Sequence, residues 1–243
     1  MRSINFCVSV GEKVSSTIVL SCDEKDICDY LGPKVTHSIF LKPVTDGEIE
    51  LLIDRIKVNK SYGPDLIHPR LLKDAKLYIL APLTHIINLS IMQGCIPDNM
   101  KIARVVPIFK GGDPKIMGNY RPISILPAIS KLLERCVANR LLKFLDKTNF
   151  FYELQSGFCK NYGAKMAICE FTNFVQQQLE NRKICLGIFI DFKKAFDTVN
   201  HSILLKKLEH YGVRGLSLEW FKNYLSGRQQ FIQIGTNKST CSS

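Results

Sequence analysis

The stretch RVVPIFKGGDPKIMGNYRPISI, residues 104–125, gives the clearest indication of the fold. It begins with a short β-prone run, RVVPIFK, and ends with a second extended run, NYRPISI. The segment GGDPK between them combines glycine, aspartate and proline, which are typical of turns. Two extended runs on either side of a turn predict a β-hairpin with a long loop.

Helical patterns lie on both sides of this hairpin. Before it, Thr45 and Glu48 match the S/T-x-x-E capping box, and apolar residues then recur at helical spacing. A second helical pattern runs from Pro69 to Gly94, and Pro82 is expected to restart that helix rather than to lie within it. After the hairpin, Ser130 is expected to cap a third helix whose leucine and valine residues line one face.

The last third of the chain alternates helical and extended patterns. A helix is predicted from about Gly163 to Asn181. The run ICLGIFIDF, residues 184–192, predicts a buried strand because of its length and its β-branched content. Asn200 or Ser202 is expected to cap the next helix, and RQQFIQIG, residues 228–235, predicts a final strand.

The composition indicates a folded, basic protein. Hydrophobic residues make up 46% of the 243 positions, so a packed core is expected. The formal net charge is +11, which favours an anionic partner such as nucleic acid, although many basic proteins have no such partner. Residues 101–160 carry eleven Lys or Arg and four Asp or Glu, so the positive charge is concentrated around the predicted hairpin.

The cysteines and the N-terminus indicate an intracellular protein. None of the nine cysteines forms a C-x-x-C pair, and reduced cysteines buried on apolar faces are expected. Residues 11–13, Gly-Glu-Lys, interrupt any secretory apolar region, so the protein is expected to be nuclear or cytoplasmic and not secreted. The apolar zone at residues 78–92 is too short to span a bilayer and is expected to form a pair of core helices.

Asp191, in the stretch FIDFKKAFDTVNH, ends the predicted buried strand. A carboxylate at such a strand end lies where α/β proteins commonly bind ligands, and it could hold Mg²⁺. The alternative, which position alone favours, is that Asp191 caps the next turn. A phosphatase-type D-x-D site is disfavoured because position 193 is Lys193. Asp197 is expected to cap the following helix, and His201 to start it.

Five blocks together carry a more specific signal. They are KVNKSYGPDLIHPRLLK (57–73), ARVVPIFKGGDPKIMGNYRPISILPAISKLLERCVANRL (103–141), LQSGFCKNYGA (154–164), FIDFKKAFDTVNHSILLKKLEHYGVRG (189–215) and WFKNYLSGRQQFIQIG (220–235). Each of these blocks, and the order in which they follow one another, resembles the reverse transcriptases of non-LTR retrotransposons, the LINE-like and jockey-like class. The resemblance covers about residues 40–240.

This resemblance implies an α+β, right-hand polymerase fold, with the fingers and only the N-terminal part of the palm present. Residues 1–44 would be a lead-in or linker segment, residues 45–182 a fingers-like helical region with the hairpin, and residues 183–243 the start of the palm. The implied partners are an RNA template, a DNA primer and deoxynucleoside triphosphates, with Mg²⁺ as the cofactor. No membrane partner is implied.

The resemblance also implies roles for five residues. Asp191 would be a catalytic, metal-binding carboxylate, and Phe192 would lend its backbone to the triphosphate site. Phe196 would crowd the 2′ position of the sugar; it could also be an ordinary core aromatic, and the two roles are compatible. Lys110 and Arg121 would hold the phosphates of the incoming nucleotide, since both side chains bind phosphate. The alternative is a solvated turn lysine and an arginine in an ion pair.

The sequence departs from the family pattern in two places. Cys159 stands where the Q-x-G-F-R block has arginine, and Gly163-Ala164 stand where Ser-Thr is expected. The family's Y-x-D-D block, with two further metal-binding carboxylates, is absent, and no Asp-Asp pair occurs in the 243 residues. The expectation is an incomplete copy that is inactive on its own. The alternatives are a non-catalytic nucleic-acid-binding remnant or a poorly folded pseudogene product.

Overall fold

The computed structural model describes residues 27–160, 162–192, 195–235 and 237–242. Within these ranges the chain forms seven α-helices and four β-strands. The helices are α1 (Asp46–Asp54), α2 (Pro69–Asp74), α3 (Lys76–Gln93), α4 (Ala128–Lys147), α5 (Ala164–Glu180), α6 (His201–His210) and α7 (Leu216–Leu225). The strands are β1 (Ile102–Phe109), β2 (Tyr120–Ile125), β3 (Gln229–Ile234) and β4 (Asn237–Lys238). The fold is therefore of the α+β class.

The four strands form one mixed sheet in the order β2-β1-β3-β4. β1 and β2 pair antiparallel, with Phe109 opposite Tyr120 at the end near the loop, so the predicted hairpin is confirmed. β3, which confirms the predicted final strand, lies parallel to the other edge of β1. This pairing of residues 102–105 with residues 229–232 joins the hairpin to the last part of the chain.

The main hydrophobic core lies among the helices. Ile53 of α1 and Ile87 of α3 are completely buried there, next to Cys136 of α4. Burial raises the pKa of the Cys136 thiol to about 12, so this thiol stays protonated at neutral pH. The expected burial of the cysteines is thus confirmed for Cys136, but Cys169 and Cys241 are exposed. No helix in the described ranges is long and apolar enough to cross a membrane.

The end of the predicted lead-in segment packs into this core. Ile39, Leu41 and Val44 are buried, whereas a linker would leave them in solvent. Asn88 of α3 donates its Nδ2 to the carbonyl of Val44 at 3.0 Å and accepts the Val44 N–H at 2.7 Å. In the part of residues 1–44 that the structure describes, the segment before α1 is therefore a component of the core.

Arg140 of α4 also forms hydrogen bonds to the segment before α1. It donates to the backbone carbonyls of residues 42–43 and pairs with both carboxylate oxygens of Glu48, at 2.8 and 2.9 Å. The predicted capping box is consequently only half formed. The Oγ1 of Thr45 accepts the N–H of Glu48 at 3.3 Å, but the Glu48 carboxylate binds Arg140.

We expect Gly212→Ala to destabilise the fold by about 2 kcal/mol or more. Gly212 follows α6 with a φ of 97°, and an added Cβ would meet the carbonyl oxygen of His37 and lie 2.7 Å from the Phe144 ring. The free energy of unfolding in urea measures the effect. Gly47→Ala in α1 is the matched control, because nothing lies within 4 Å of its added Cβ. Equal unfolding midpoints for the two variants would contradict the expectation.

Two predicted helix boundaries are wrong. Pro82 lies inside α3, and the break in the helical pattern comes at Ala75 instead. Proline removes only one backbone hydrogen bond there, and the burial of neighbouring apolar residues such as Leu83 and Ile87 offsets that cost. α4 begins at Ala128, so Ser130 lies within the helix and does not cap it. The expected pair of core helices at residues 78–92 is consequently a single helix.

The predicted buried strand at residues 184–192 is also wrong. The backbone there is irregular, and Ile184 and Phe189 are 98% and 84% exposed. The preceding helix α5, which confirms the predicted helix, has no buried residue either. Length and β-branched content describe side-chain preference, but a strand also needs a neighbour that pairs its N–H and C=O groups. The central strand β1 pairs with β2 and β3 instead.

Candidate functional site

The β1–β2 hairpin places Lys110 and Arg121 on one face. Arg121 is directly opposite Ile108, and Lys110 is two residues after Ile108. The N–H of Lys110 donates to the carbonyl of Asn119 at 2.8 Å, which continues the pairing one step beyond β1. Opposed residues of an antiparallel pair share a face, and so do residues two apart on one strand. The two cations are thus diagonal neighbours, roughly 7–8 Å apart at their backbones.

Both cations are available for a ligand. Lys110 and Arg121 are exposed, and within the described ranges neither has a carboxylate at ion-pair distance. This excludes the alternative in which Arg121 is held in an ion pair with a described residue. Two unpaired cations on one exposed face can bind an anion with several oxygens, such as a triphosphate.

The loop that joins the strands is held by its own hydrogen bonds. Asp113 accepts the N–H of Lys115 on its Oδ1 at 2.8 Å, and its carbonyl accepts from the side chain of Asn119 at 2.9 Å. The Tyr120 hydroxyl donates to the carbonyl of Pro114 at 3.0 Å. These contacts fix the loop at both ends and thereby fix the backbone from which Lys110 projects.

Two further arginines of the basic window at residues 101–160 have roles inside the fold. Arg104 is buried, donates to the carbonyl of Tyr62 at 2.8 Å and lies over the Tyr62 ring at 4.4 Å. Arg140 binds Glu48 and the segment before α1, as described above. Sequence reasoning missed these roles because most of the partners are backbone carbonyls and an aromatic face, and the one carboxylate, Glu48, lies 92 positions before Arg140.

The remaining candidates do not belong to any strand of the described chain. Asp191 and Phe192 are exposed on irregular backbone, so Asp191 does not end a buried strand. Phe196 is exposed too, which excludes a core role, and its ring lies 5.8 Å from that of Phe158. Among the residues that the structure describes, Asp191 forms no ion pair with either hairpin cation. The strand pairing therefore places Lys110 and Arg121 side by side, whereas no strand pairing or ion pair of the described chain joins Asp191, Phe192 or Phe196 to them.

The start of α6 is fixed by Asn200. Its Oδ1 accepts the N–H groups of Ser202 at 3.0 Å and Ile203 at 3.2 Å, which confirms one of the two predicted caps. His201 is the first residue of the helix, as expected. Asp197 lies in the preceding turn and is not the cap, because Asn200 occupies that position.

The residues present do not fit a magnesium pair. In the described part of the chain, no three His, Cys, Asp or Glu side chains cluster in a way that could hold a metal ion. Mg²⁺ requires near-octahedral oxygen ligands, and two ions about 3.5–4 Å apart require shared carboxylates. Asp191 alone cannot supply them.

Comparison with known proteins identifies similar sequences. A family model described as reverse transcriptase (RNA-dependent DNA polymerase) matches residues 108–242. The chain is 32% identical over 220 residues to the RNA-directed DNA polymerase from mobile element jockey of Drosophila melanogaster. This match covers 89% of the chain and 24% of the relative.

Two further relatives are also proteins of transposable elements. The probable RNA-directed DNA polymerase from transposon BS of Drosophila melanogaster is 28% identical over 222 residues, covering 88% of the chain and 24% of the relative. A retrovirus-related Pol polyprotein from the type-1 retrotransposable element R2 of Popillia japonica is 27% identical over 154 residues. This match covers 63% of the chain and 21% of the relative. The chain spans about a quarter of the length of these relatives.

Proposed function

The chain belongs to the reverse transcriptase family of non-LTR retrotransposons, and from that premise we propose that it supplies the fingers and the first part of the palm of an RNA-directed DNA polymerase. Residues 45–182 would form the fingers region and residues 183–243 the start of the palm. The partners would be an RNA template, a DNA primer and deoxynucleoside triphosphates. The reaction would be the template-directed transfer of nucleotides to the primer.

The observation that carries this proposal is the hairpin register. It places the exposed side chains of Lys110 and Arg121 on one face, without ion-pair partners in the described chain. Phosphoryl transfer depends mainly on positioning and on neutralising charge, which two cations on a fixed hairpin can provide. Lys110 would act as a point charge, and the planar guanidinium of Arg121 would bind two phosphate oxygens at once.

The palm residues would complete the site in a full polymerase. Asp191 would be one of the metal-binding carboxylates, Phe192 would offer its backbone to the triphosphate, and Phe196 would exclude a 2′-hydroxyl. These roles rest on the family motif at residues 189–201. The 243 residues contain no Asp-Asp pair, so a polypeptide of these residues alone is not expected to extend a primer, with Mg²⁺ or without it.

A second candidate function is nucleic-acid binding without catalysis. The net charge of +11 and its concentration at residues 101–160 favour it. Binding of this kind would weaken steeply with salt, because each neutralised phosphate releases a condensed counterion. The two candidates share the same hairpin and differ in whether a single deoxynucleotide is bound.

We expect the double variant Lys110→Ala with Arg121→Ala to bind deoxynucleoside triphosphate at least about tenfold more weakly than the unaltered chain. Each charged hydrogen bond is worth about 1.5–3 kcal/mol, and 1.4 kcal/mol is a factor of ten. Equilibrium binding of a fluorescent dATP measures this directly. The matched control, Lys57→Ala with Lys60→Ala, removes the same charge from the exposed turn after α1.

The control separates a local site from general charge. If both double variants lose affinity equally, the hairpin is not a nucleotide site and only the second candidate remains. If neither loses affinity, the proposed roles of Lys110 and Arg121 are wrong.

A further inference from the structure

A cavity of about 700 Å³, here called the α1–α4 cavity, is lined by the segment before α1, by helix α1 and by helix α4. Its floor is formed by apolar side chains, one from each of these elements: Ile39, Leu52 and Phe144. Ile39 and Leu52 belong to the hydrophobic core, and Phe144 packs against it. Three separate parts of the chain therefore hold this apolar floor in place.

Two large apolar side chains at this cavity are exposed although their neighbours in the chain are buried. Ile39 and Leu41 are 8% and 5% exposed, whereas Phe40 between them is 72% exposed. In α1, Leu52 is buried and Leu51 is 59% exposed. Phe40 and Leu51 both line the cavity. Their buried neighbours fix the backbone that presents them, and exposed apolar area in a concave surface is typical of an interaction site.

The same cavity carries unpaired positive charge. Four lining cations are exposed and have no carboxylate at ion-pair distance in the described chain: Lys42, Arg55, Lys143 and Lys147. The acidic lining residues are Glu48 and Asp146, and Glu48 is already bound by Arg140. Within the described chain the cavity consequently offers four free cations and one free carboxylate.

The cations lie beside the exposed apolar side chains. Arg55 is the C-cap of α1, four positions after Leu51, and Lys143 and Lys147 are four positions apart in α4. Residues four apart share a helix face, so each pair lies on one side of its helix. Apolar side chains with cations beside them are complementary to a partner that carries carboxylates around apolar anchors. An acidic amphipathic helix has this pattern, and such helices bind in apolar grooves.

Nucleic acid would also neutralise the lysines, but the apolar lining favours a peptide. Among the described residues that line the cavity, Phe40 is the only exposed aromatic side chain, and the other large exposed apolar side chain, Leu51, is aliphatic. Single-stranded nucleic acid binds where successive bases stack on aromatic faces. A leucine or phenylalanine side chain of a peptide can instead pack against both Phe40 and Leu51.

We propose that the α1–α4 cavity binds an acidic segment of a partner protein that carries leucine or phenylalanine anchors. The anchors pack against Phe40 and Leu51, and carboxylates beside them pair with Lys143 and Lys147. The site uses neither of the hairpin cations, and it does not rest on the proposed polymerase function.

The test is fluorescence anisotropy with a labelled peptide that repeats the unit Glu-Leu-Glu-Glu-Phe-Leu-Glu, in which the apolar residues recur at helical spacing. Saturable binding that weakens as salt is added is expected, because salt screens exposed charges. Lys143→Glu with Lys147→Glu is expected to weaken binding about tenfold or more, since it turns two attractions into repulsions. Phe40→Ser is expected to weaken binding about tenfold, because the anchors lose the apolar area of one ring.

Matched controls separate the cavity from general charge and general apolarity. Lys57→Glu with Lys60→Glu reverses the same charge in the turn after α1, and Tyr78→Ser removes an exposed ring from α3. None of these positions lines the cavity, so both variants should bind the peptide about as tightly as the unaltered chain. A control peptide with serine in place of each leucine and phenylalanine should bind at least about tenfold more weakly.

Several results would overturn the proposal. No saturable binding, or equal affinity of the Phe40 and Tyr78 variants, would exclude an anchor site, and equal affinity of the two peptides would mean that charge alone drives binding. An oligothymidylate of the same net charge that binds more tightly and displaces the peptide would assign the cavity to nucleic acid. A dimer in sedimentation that dissociates as the peptide binds would assign it to a second copy of the chain. Binding of fluorescent dATP should be unchanged in the cavity variants, so each of these failures leaves the proposed function intact.

Discussion

Trp220→Ala is expected to lower the free energy of unfolding by about 3–5 kcal/mol, which is the usual cost of removing a buried tryptophan. Trp220 is 1% exposed, and it is the only tryptophan in the chain. Its ring stacks on that of Tyr224 with centroids 5.4 Å apart, and its Nε1 donates to the Oγ of Ser90 at 3.2 Å. The variant would lose packing between α7 and α3 as well as this hydrogen bond.

Urea unfolding followed by far-ultraviolet circular dichroism measures this effect, since the variant has no tryptophan fluorescence. A domain typically has about 5–15 kcal/mol of stability, so a substantial unfolded fraction is expected even at low urea. Leu77→Ala on the exposed face of α3 is the control, with an expected change of about 0.5 kcal/mol or less. An equal shift in the two variants would mean that the helical core is not arranged as described.

Asp191→Asn is expected to reduce primer extension at least about 100-fold when these residues replace the matching segment of a complete polymerase. The jockey polymerase of Drosophila melanogaster is a suitable host, since it is 32% identical over 220 residues. The substitution keeps the size of the side chain but removes its charge. Stabilisation of the transition state by metal ions is worth several kcal/mol, and each 1.36 kcal/mol is tenfold in rate.

Single-turnover extension of a DNA primer on an RNA template measures that rate. Asp197→Asn is the matched control, because Asp197 is a second exposed aspartate of the same motif that neither caps α6 nor carries a proposed catalytic role. Extension by the Asp191 variant at the rate of the control would show that Asp191 is not a catalytic carboxylate.

The hairpin could be predicted from the sequence because its signal is local. A turn segment between two extended runs defines both the element and its approximate register, and the register decides which side chains share a face. Lys110 and Arg121 were chosen by family resemblance. Only the strand pairing shows that the two side chains share a face. Only the structure shows that both are exposed and have no ion-pair partner in the described chain.

The buried strand at residues 184–192 could not be judged from its composition alone. The same apolar pattern is compatible with a central strand and with an irregular segment that pairs with no strand. Which of the two forms depends on whether a neighbouring strand of the sheet is free to pair with it. β1 takes its second neighbour from residues 229–232, more than a hundred positions later. The segment before α1 was misjudged for a related reason. Asn88 and Arg140 hold this segment through hydrogen bonds to its backbone atoms, which no side-chain pattern indicates.

The most direct test of the proposed function uses the 243 residues without any substitution. It asks whether they support RNA-templated synthesis when they replace the matching segment of the jockey polymerase. The measurement is primer extension on an RNA template by the purified chimera, beside the isolated 243-residue chain. The predicted result is extension by the chimera and none by the isolated chain, because the further metal-binding carboxylates that the 243 residues lack would have to come from the host. A chimera that unfolds cooperatively and binds primer and template, yet does not extend the primer, would contradict the account.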